Sequence, residues 1–232
     1  MKTDILDDGT VYKIPESTEG SKPFYVIRKK SPKLRETMTF KITAFLWVWA
    51  FIQFIVAPYV GYSVGSPEWE AIFAFSSENI TYYWTWFTSM VSHGNFIHLL
   101  VNSIVLISFG KFVEIDIGKV RMIGFFIIAG LIAGLTQVGV VSVFSTEPMA
   151  IVGASGAISG LIGYLTLRKP EQAVYLFFIL KMKLRTASIL FFGGSIIVVA
   201  LFGFGAGGFG HTAHISGFVV GFVYSLLRLK TN

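Results

Sequence analysis

The sequence predicts an all-α polytopic membrane protein, a bundle of six transmembrane helices with a half-immersed outer loop between the first two. Hydrophobic residues make up 53% of its 232 positions and charged residues only 14%, whereas about a quarter of the residues of a soluble domain are charged. The apolar residues form six stretches, and the Lys and Arg residues lie on one side of them. This pattern argues against a soluble enzyme, a disordered chain or a nucleic-acid-binding protein. The absence of cysteine excludes disulfide and thiolate chemistry.

The first 40 residues are polar and begin with acidic side chains. They contain no early apolar run of the kind that marks a signal peptide. They are also too few to bury much of a core of their own. We therefore predict a cytosolic tail at 1–40 and a membrane domain at 41–232.

Six apolar stretches follow this tail, and a helix that crosses the bilayer needs about 20 residues. They run over about residues 42–62, 96–112, 122–144, 155–167, 184–204 and 211–227. A further apolar segment, 173–183, is short and bracketed by Lys and Arg. We predict an interfacial strand or hairpin there rather than a seventh span.

The basic residues orient these stretches, because loops rich in Lys and Arg stay in the cytosol. All 19 Lys and Arg lie in the tail and at 41, 111–121, 168–185 and 228–230, and the loops without them are 63–95, 145–154 and 205–210. Six spans put every basic segment on one side. The protein is therefore predicted to be a multi-pass protein of the cell membrane with both termini in the cytosol.

The long loop at 63–95 is rich in Trp, Tyr and Phe, which favour the membrane interface. Within it, Ser66 is followed by Pro67 and Glu68, the order expected of a capping residue and the first turn of a helix. We expect a folded loop that is half immersed in the bilayer.

The fourth stretch opens with Gly153-Ala154-Ser155-Gly156, which places the hydroxyl of Ser155 at a helix N-terminus. Free backbone N–H groups and the positive end of the helix dipole would stabilise negative charge on an attacked carbonyl oxygen there. The tetrapeptide alone favours a capping serine beside packing glycines.

The sixth stretch carries His214, Gly217 and Gly221 on one helical face. Gly156 and Gly160 form a matching small face on the fourth stretch, and small residues let helices approach closely in lipid. Counted from Arg168 and Arg228, Ser155 and His214 lie about 20 and 21 Å from the cytosolic boundary, at about 1.5 Å per residue. A serine and a histidine at one depth suggest a nucleophile and its general base, although glycine packing beside an incidental histidine remains the alternative.

The second stretch carries His98 and Asn102 one turn apart on one face. Both side chains can donate hydrogen bonds to an oxyanion, and hydrogen bonding between helices is the alternative. His93 lies off that face and is predicted to be structural.

Three motifs in this order resemble the rhomboid family of intramembrane serine proteases. They are His93-x4-His98-x3-Asn102, Gly153-Ala154-Ser155-Gly156 and Ala213-His214 through Gly221. The resemblance covers about residues 41–230. It implies that Ser155 is the nucleophile and His214 the base, and that His98, Asn102 and the backbone N–H of Ser155 bind the oxyanion. Glu114 resembles the acidic residue that the family carries at the foot of the second span.

Two positions depart from the family pattern. Many bacterial members have Trp-Arg in the outer loop, where this chain has Trp84-Thr85. Many also carry an aromatic ring four residues after the nucleophile, packed on the base, where this chain has Ser159. Another residue must therefore orient His214.

The leading functional prediction is a serine endopeptidase that cleaves single-span transmembrane proteins in or near their spans, within the lipid bilayer. Its site would open to the outer side, with the glycine-rich segment 203–210 as a cap. A catalytically inactive relative that acts as a membrane chaperone or adaptor is the alternative. A metal site would lack HExxH and a membrane-embedded carboxylate, and a transporter would lack charged residues along its spans. No metal or other cofactor is therefore predicted.

Overall fold

The computed structural model describes residues 32–145, 149–176, 179–204 and 210–229, and the backbone of three short strands before them. The prediction of a cap at 203–210 falls mostly on residues 205–209, which lie outside the described residues. Contacts divide the chain into two units, 1–36 and 37–232. The sequence analysis drew this boundary four residues later, after residue 40.

The first unit contains an antiparallel sheet of β1 (Lys2–Ile5), β2 (Val11–Ile14) and β3 (Val26–Arg28), in that order. Lys2 pairs with Ile14, and Val11 pairs with Arg28. The sequence predicts a polar tail here, and these strands were not predicted. Val, Ile and Tyr favour extended backbone, but each run is only three or four residues long and is easily overlooked among polar neighbours.

The described part of the second unit contains eight helices. They are α1 (Met38–Tyr59), α2 (Pro67–Phe73), α3 (Thr85–Val91), α4 (Phe96–Ile117), α5 (Lys119–Phe144), α6 (Ser155–Arg168), α7 (Leu184–Phe202) and α8 (His211–Leu229). Between α6 and α7 lies a hairpin of β4 (Ala173–Leu176) and β5 (Leu180–Lys183). The prediction of a hairpin at 173–183 is thereby confirmed.

Among the described residues, five helices are long and apolar enough to cross a membrane: α1, α4, α5, α7 and α8. The fourth predicted span, α6, has only 14 residues. Most of α6 is buried, and it packs against α8, α5 and α4. A helix enclosed by longer helices need not run from one face of the bundle to the other, so α6 is the interior element on which the site is built.

The first helix is held at its start by a carboxylate from α4. Glu114 accepts hydrogen bonds from Met38 N at 2.9 Å, and from Thr39 N and Thr39 Oγ1 at 3.0 Å. Thr37 caps the same turn by accepting from Phe40 N at 3.1 Å. Because the first N–H groups of a helix lack intrahelical partners, these contacts start α1 at Met38, within the predicted tail.

A π-helical turn at Ile52–Val56 interrupts α1. Such turns often occur at functional sites. In this turn Gln53 is fully buried, and its amide side chain bonds to the backbone N and O of His93 at 2.9 and 2.5 Å. The turn thus ties α1 to the segment that leads into α4.

The loop between α1 and α4 is folded. Ser66 caps α2 by accepting from Trp69 N, with Pro67 in the first turn, which confirms the predicted helix start. Trp69 and Phe73 are buried. Phe75 pairs with Ile151 through two backbone hydrogen bonds of 3.0 and 2.8 Å, so this loop is fastened to the segment that precedes α6.

Polar contacts also join α4 to α6 at the opposite end of the bundle. Near this end, Gly118 makes the turn between α4 and α5 at a φ of 86°, a conformation that favours glycine.

The contacts between α4 and α6 are made by side chains. Tyr164 Oη donates to Asp116 at 2.6 Å, and Arg168 Nε bonds to the same carboxylate at 3.0 Å. These bonds fix the height of α6 against α4.

Candidate active site

Ser155 is the first residue of α6. The chain reaches it through Gly153, whose φ of 126° is in the region that favours glycine. Gly153 N donates to Ser89 O in α3 at 2.7 Å. This bond ties the segment that leads to Ser155 to α3. Ser155 itself lies beside backbone N–H groups that have no partner within the helix.

Helices α6 and α8 touch through their backbones. A Cβ added to Gly217 would collide with the Gly156 carbonyl oxygen, and one added to Gly221 would collide with the Gly160 carbonyl oxygen. Gly163 faces the Phe218 carbonyl oxygen in the same way. The glycines that the sequence analysis assigned to helix packing thus lie opposite one another. This approach carries residues near the start of α8 to the start of α6.

His214 Nε2 lies 2.9 Å from Ser155 Oγ. A neutral imidazole with its proton on Nδ1 presents Nε2 as an acceptor to the hydroxyl. A base must come within about 2.6–3.2 Å of the proton donor from which it abstracts, and this distance lies inside that range. The pair thus has the geometry required for proton transfer from a serine nucleophile.

Two side-chain donors lie beside Gly153. A Cβ placed on Gly153 would lie 2.9 Å from His98 Nε2 and 3.6 Å from Asn102 Nδ2. Gly94 N donates to His98 Nδ1 at 3.4 Å, so the neutral ring carries its proton on Nε2, the nitrogen that faces Gly153. Asn102 Nδ2 is buried and has no hydrogen-bond partner among the described residues. Both side chains can donate to an anionic oxygen near Ser155.

A cavity of about 550 Å³ lies beside the Ser155–His214 pair. Ser155, His214 and His98 line it, together with residues of α3, α5 and the segment that precedes α6. No group of three His, Cys, Asp or Glu that could hold a metal ion occurs in the described part of the chain.

The other two histidines lie apart from the Ser155–His214 pair. His211 Nδ1 lies 3.3 Å from Ser195 Oγ in α7. His93 is fully buried, with its ring edge-on to His98 at 5.1 Å between centroids. Burial and the nearby His98 lower the pKa of His93 to about 3, so its ring is neutral at physiological pH. This environment fits the structural role that the sequence analysis assigned to His93.

Two residues near the site were not found from the sequence. The ring of Phe191 in α7 lies 6.2 Å from the His214 ring, at 42°. Gln137 in α5 is fully buried and accepts a hydrogen bond from Ala213 N at 3.0 Å. Phe191 lies in a long apolar run and Gln137 is isolated in another, so no spacing pattern marks either residue.

A family model described as the Rhomboid domain matches residues 81–231. The chain is 28% identical over 208 residues to "Rhomboid protease GluP" of Bacillus subtilis (strain 168), a match covering 85% of this chain and 38% of that protein. It is 35% identical over 100 residues to "Putative rhomboid protease YdcA" of the same organism, a match covering 42% of each. The chain therefore spans about two fifths of the length of these curated relatives. Because the family match includes α4 to α8 and the Ser155–His214 pair, the chain belongs to the rhomboid family.

Proposed function

We propose that this protein is an intramembrane serine endopeptidase that uses Ser155 and His214 as a catalytic dyad. The observation that carries the proposal is the 2.9 Å contact between Ser155 Oγ and His214 Nε2 at the N-terminus of a buried helix. In many serine hydrolases a carboxylate orients the base. The acidic residues of α4 lie instead at its far end, at Glu114 and Asp116.

In the proposed reaction, Ser155 Oγ attacks the scissile carbonyl carbon while its proton passes to His214 Nε2. The carbonyl oxygen becomes an oxyanion that accepts from Ser155 N, Asn102 Nδ2 and His98 Nε2. When the carbon–nitrogen bond breaks, the proton on His214 passes to the leaving amine and leaves an acyl ester on Ser155. Water, deprotonated by His214, then hydrolyses the ester and restores the hydroxyl group.

The proposed setting is a six-span bundle in the cell membrane, with α6 as the short fourth span. The distribution of Lys and Arg supports a topology with both termini in the cytosol, in which residues 1–40 are a cytosolic segment. The site then opens to the outer side, beneath a loop that is half immersed in the bilayer. Single-span transmembrane proteins are the proposed substrates, because a membrane-embedded site meets substrate helices from within the bilayer.

The decisive experiment is cleavage of a single-span substrate by the full chain reconstituted in liposomes. Ser155→Ala and His214→Ala should each abolish cleavage, whereas His211→Ala should retain most of it because His211 lies against Ser195 in α7. A chelator should have no effect. Full activity in Ser155→Ala would contradict the proposal. Lack of cleavage by folded wild-type protein across many substrates would favour the inactive chaperone or adaptor.

A further inference from the structure

A second cavity lies beside the catalytic one. It is an apolar groove of about 460 Å³ between α1, α3 and α5. Phe45 and Trp49 of α1, Val91 of α3, and Phe126 and Ile127 of α5 are among the residues that line it. Neither residue of the proposed dyad lines this groove, and neither His98 nor Asn102 does.

The two cavities are stacked along α5. Ile123, Phe126 and Ile127 line the apolar groove, and Gly130 and Gly134, which follow them on the helix, line the catalytic cavity. At about 1.5 Å per residue, the junction between the cavities is roughly one helical turn thick. It lies on the side of Ser155 that faces the connection between α4 and α5.

One side chain occupies this junction. Among the described residues, Met90 is the one residue that lines both cavities, and it is buried. Each of its two neighbours in α3 lines one cavity: Ser89 lines the catalytic cavity, and Val91 lines the groove. Met90 therefore separates the two volumes.

The position of Met90 depends on Gly130. A Cβ at Gly130 would collide with Met90 Cε and would come within 3.2 Å of Ala157 Cβ. Ala157 lies in the first turn of α6, two residues after Ser155. The end of the Met90 side chain is thus seated against bare backbone of α5, below the turn that carries Ser155.

We propose that Met90 is a specificity-determining residue, which limits the length of the substrate side chain that the catalytic cavity accepts by closing it off from the apolar groove. The inference rests on the proposed proteolytic function. A substrate side chain that enters the cavity beside Ser155 meets the Met90 thioether before it reaches the groove. Shortening Met90 to alanine removes Cγ, Sδ and Cε and joins the two cavities. The apolar side chains that line the groove suit a long apolar side chain of the substrate.

The test uses the full chain in liposomes and three single-span substrates that differ only at the residue before the scissile bond, which is Ala, Leu or Phe. A methylene group accommodated in an apolar pocket changes kcat/KM by about 10–200-fold. Met90→Ala should therefore raise kcat/KM for the Leu and Phe substrates, relative to the Ala substrate, by about tenfold or more. Met90→Val should give a smaller increase. Val91→Ala, which alters the groove alone, is the matched control and should leave the ratios unchanged.

Three results would overturn the inference or separate it from the proposed function. Unchanged ratios in Met90→Ala, with wild-type cleavage of the Ala substrate, would overturn the inference and leave the protease intact. If Met90→Ala does not fold, unchanged ratios in Met90→Val have the same meaning. If wild-type protein cleaves nothing, the proposed function fails, and the inference is decided by the affinity of Ser155→Ala protein for the substrate peptides. The inference stands if adding Met90→Ala tightens binding of the Phe peptide relative to the Ala peptide. It is overturned if the relative affinity does not change.

Discussion

Gln137 and Ala213 lie 76 residues apart, and the Gln137 side chain accepts a hydrogen bond from Ala213 N at 3.0 Å. Ala213 directly precedes His214 and lies in the first turn of α8, where backbone N–H groups lack intrahelical partners. Gln137 Nε2 also donates to Phe204 O at 3.4 Å and lies 3.7 Å from Met149 Sδ. One buried amide therefore contacts segments that lead to both residues of the proposed dyad.

Replacing Gln137 with Met should lower both stability and turnover. The substitution keeps the length of the side chain but leaves the buried Ala213 N–H without an acceptor, which costs about 1–3 kcal/mol. Gln137→Glu retains an acceptor oxygen and should be less damaging at a pH at which its carboxyl is protonated. Thermal unfolding in detergent and kcat with a single-span substrate measure the two effects. Wild-type kcat in Gln137→Met would show that this bond does not position His214.

Gly217→Ala should separate α6 from α8 and reduce activity strongly. The added methyl group would collide with the Gly156 carbonyl oxygen, and overpacking of this kind typically costs about 1–3 kcal/mol. A displacement of about 1 Å in a catalytic group can lower the rate about 10²-fold. Gly139→Ala in α5 is the control, because nothing lies within 4 Å of a Cβ there. Equal unfolding temperatures and equal cleavage rates for the two variants would contradict the close contact between Gly217 and Gly156.

Phe191 is expected to orient His214, in the place of the ring that is missing at Ser159. The ring contact at 6.2 Å predicts that Phe191→Leu lowers kcat more than it raises KM, and that Phe191→Tyr restores kcat. Phe202→Leu, an exposed position in α7, is the control. Wild-type kcat in Phe191→Leu would show that Phe191 only packs against its neighbours and does not orient His214.

His98 and Asn102 are expected to stabilise the oxyanion together. Loss of one such donor typically lowers kcat by about 10²–10³, and each single alanine variant should show a smaller loss because the other donor and Ser155 N remain. The double variant should lose more, with KM little changed. Ser108→Ala, whose hydroxyl donates to Ile104 O on an exposed face of α4, is the control. Wild-type turnover in the double variant would assign both residues to helix packing.

The proposed topology can be measured directly because the chain contains no cysteine. Single cysteines at Glu68, Lys119 and Lys181 all occupy exposed positions. An impermeant thiol reagent applied to intact cells should label the cysteine at Glu68, and should label the other two only after the membrane is permeabilised. Labelling at Lys181 from outside would be inconsistent with six spans and a cytosolic hairpin.

The pairing of Ser155 with His214 could be anticipated because both constraints on it are local. The spacing of the glycines determines which faces of α6 and α8 meet. The number of residues to the terminal arginine of each helix determines the depth of Ser155 and of His214 in the bilayer. Both can be counted along the sequence. The structure has the two atoms 2.9 Å apart. The length of α6 was also predicted, since the sequence marks 155–167 and the helix runs over Ser155–Arg168. Its enclosure by longer helices was not, since an enclosed helix and a lipid-exposed one have similar composition.

Contacts between distant segments could not be predicted in this way. Gln137 lies 76 residues from Ala213, and Met90 reaches Gly130 from a different helix. Each contact depends on which face a helix turns toward its neighbour. The apolar pattern of the sequence does not determine that face when a helix is apolar on every side. The strands of residues 2–28 were missed for a different reason, because pairing partners rather than single-residue preference stabilise short strands.

The carboxylate of Glu114 that caps α1 has a consequence for biogenesis. The start of α1 carries backbone N–H groups whose partner, the Glu114 carboxylate, is synthesised 75 residues later, at the far end of α4. Before α4 packs along α1, Thr37 Oγ1, which accepts from Phe40 N, is the one side-chain acceptor left for this turn among the described residues. We therefore expect α1 to be completed at its start when α4 packs against it, and a nascent chain that lacks residue 114 to fray there.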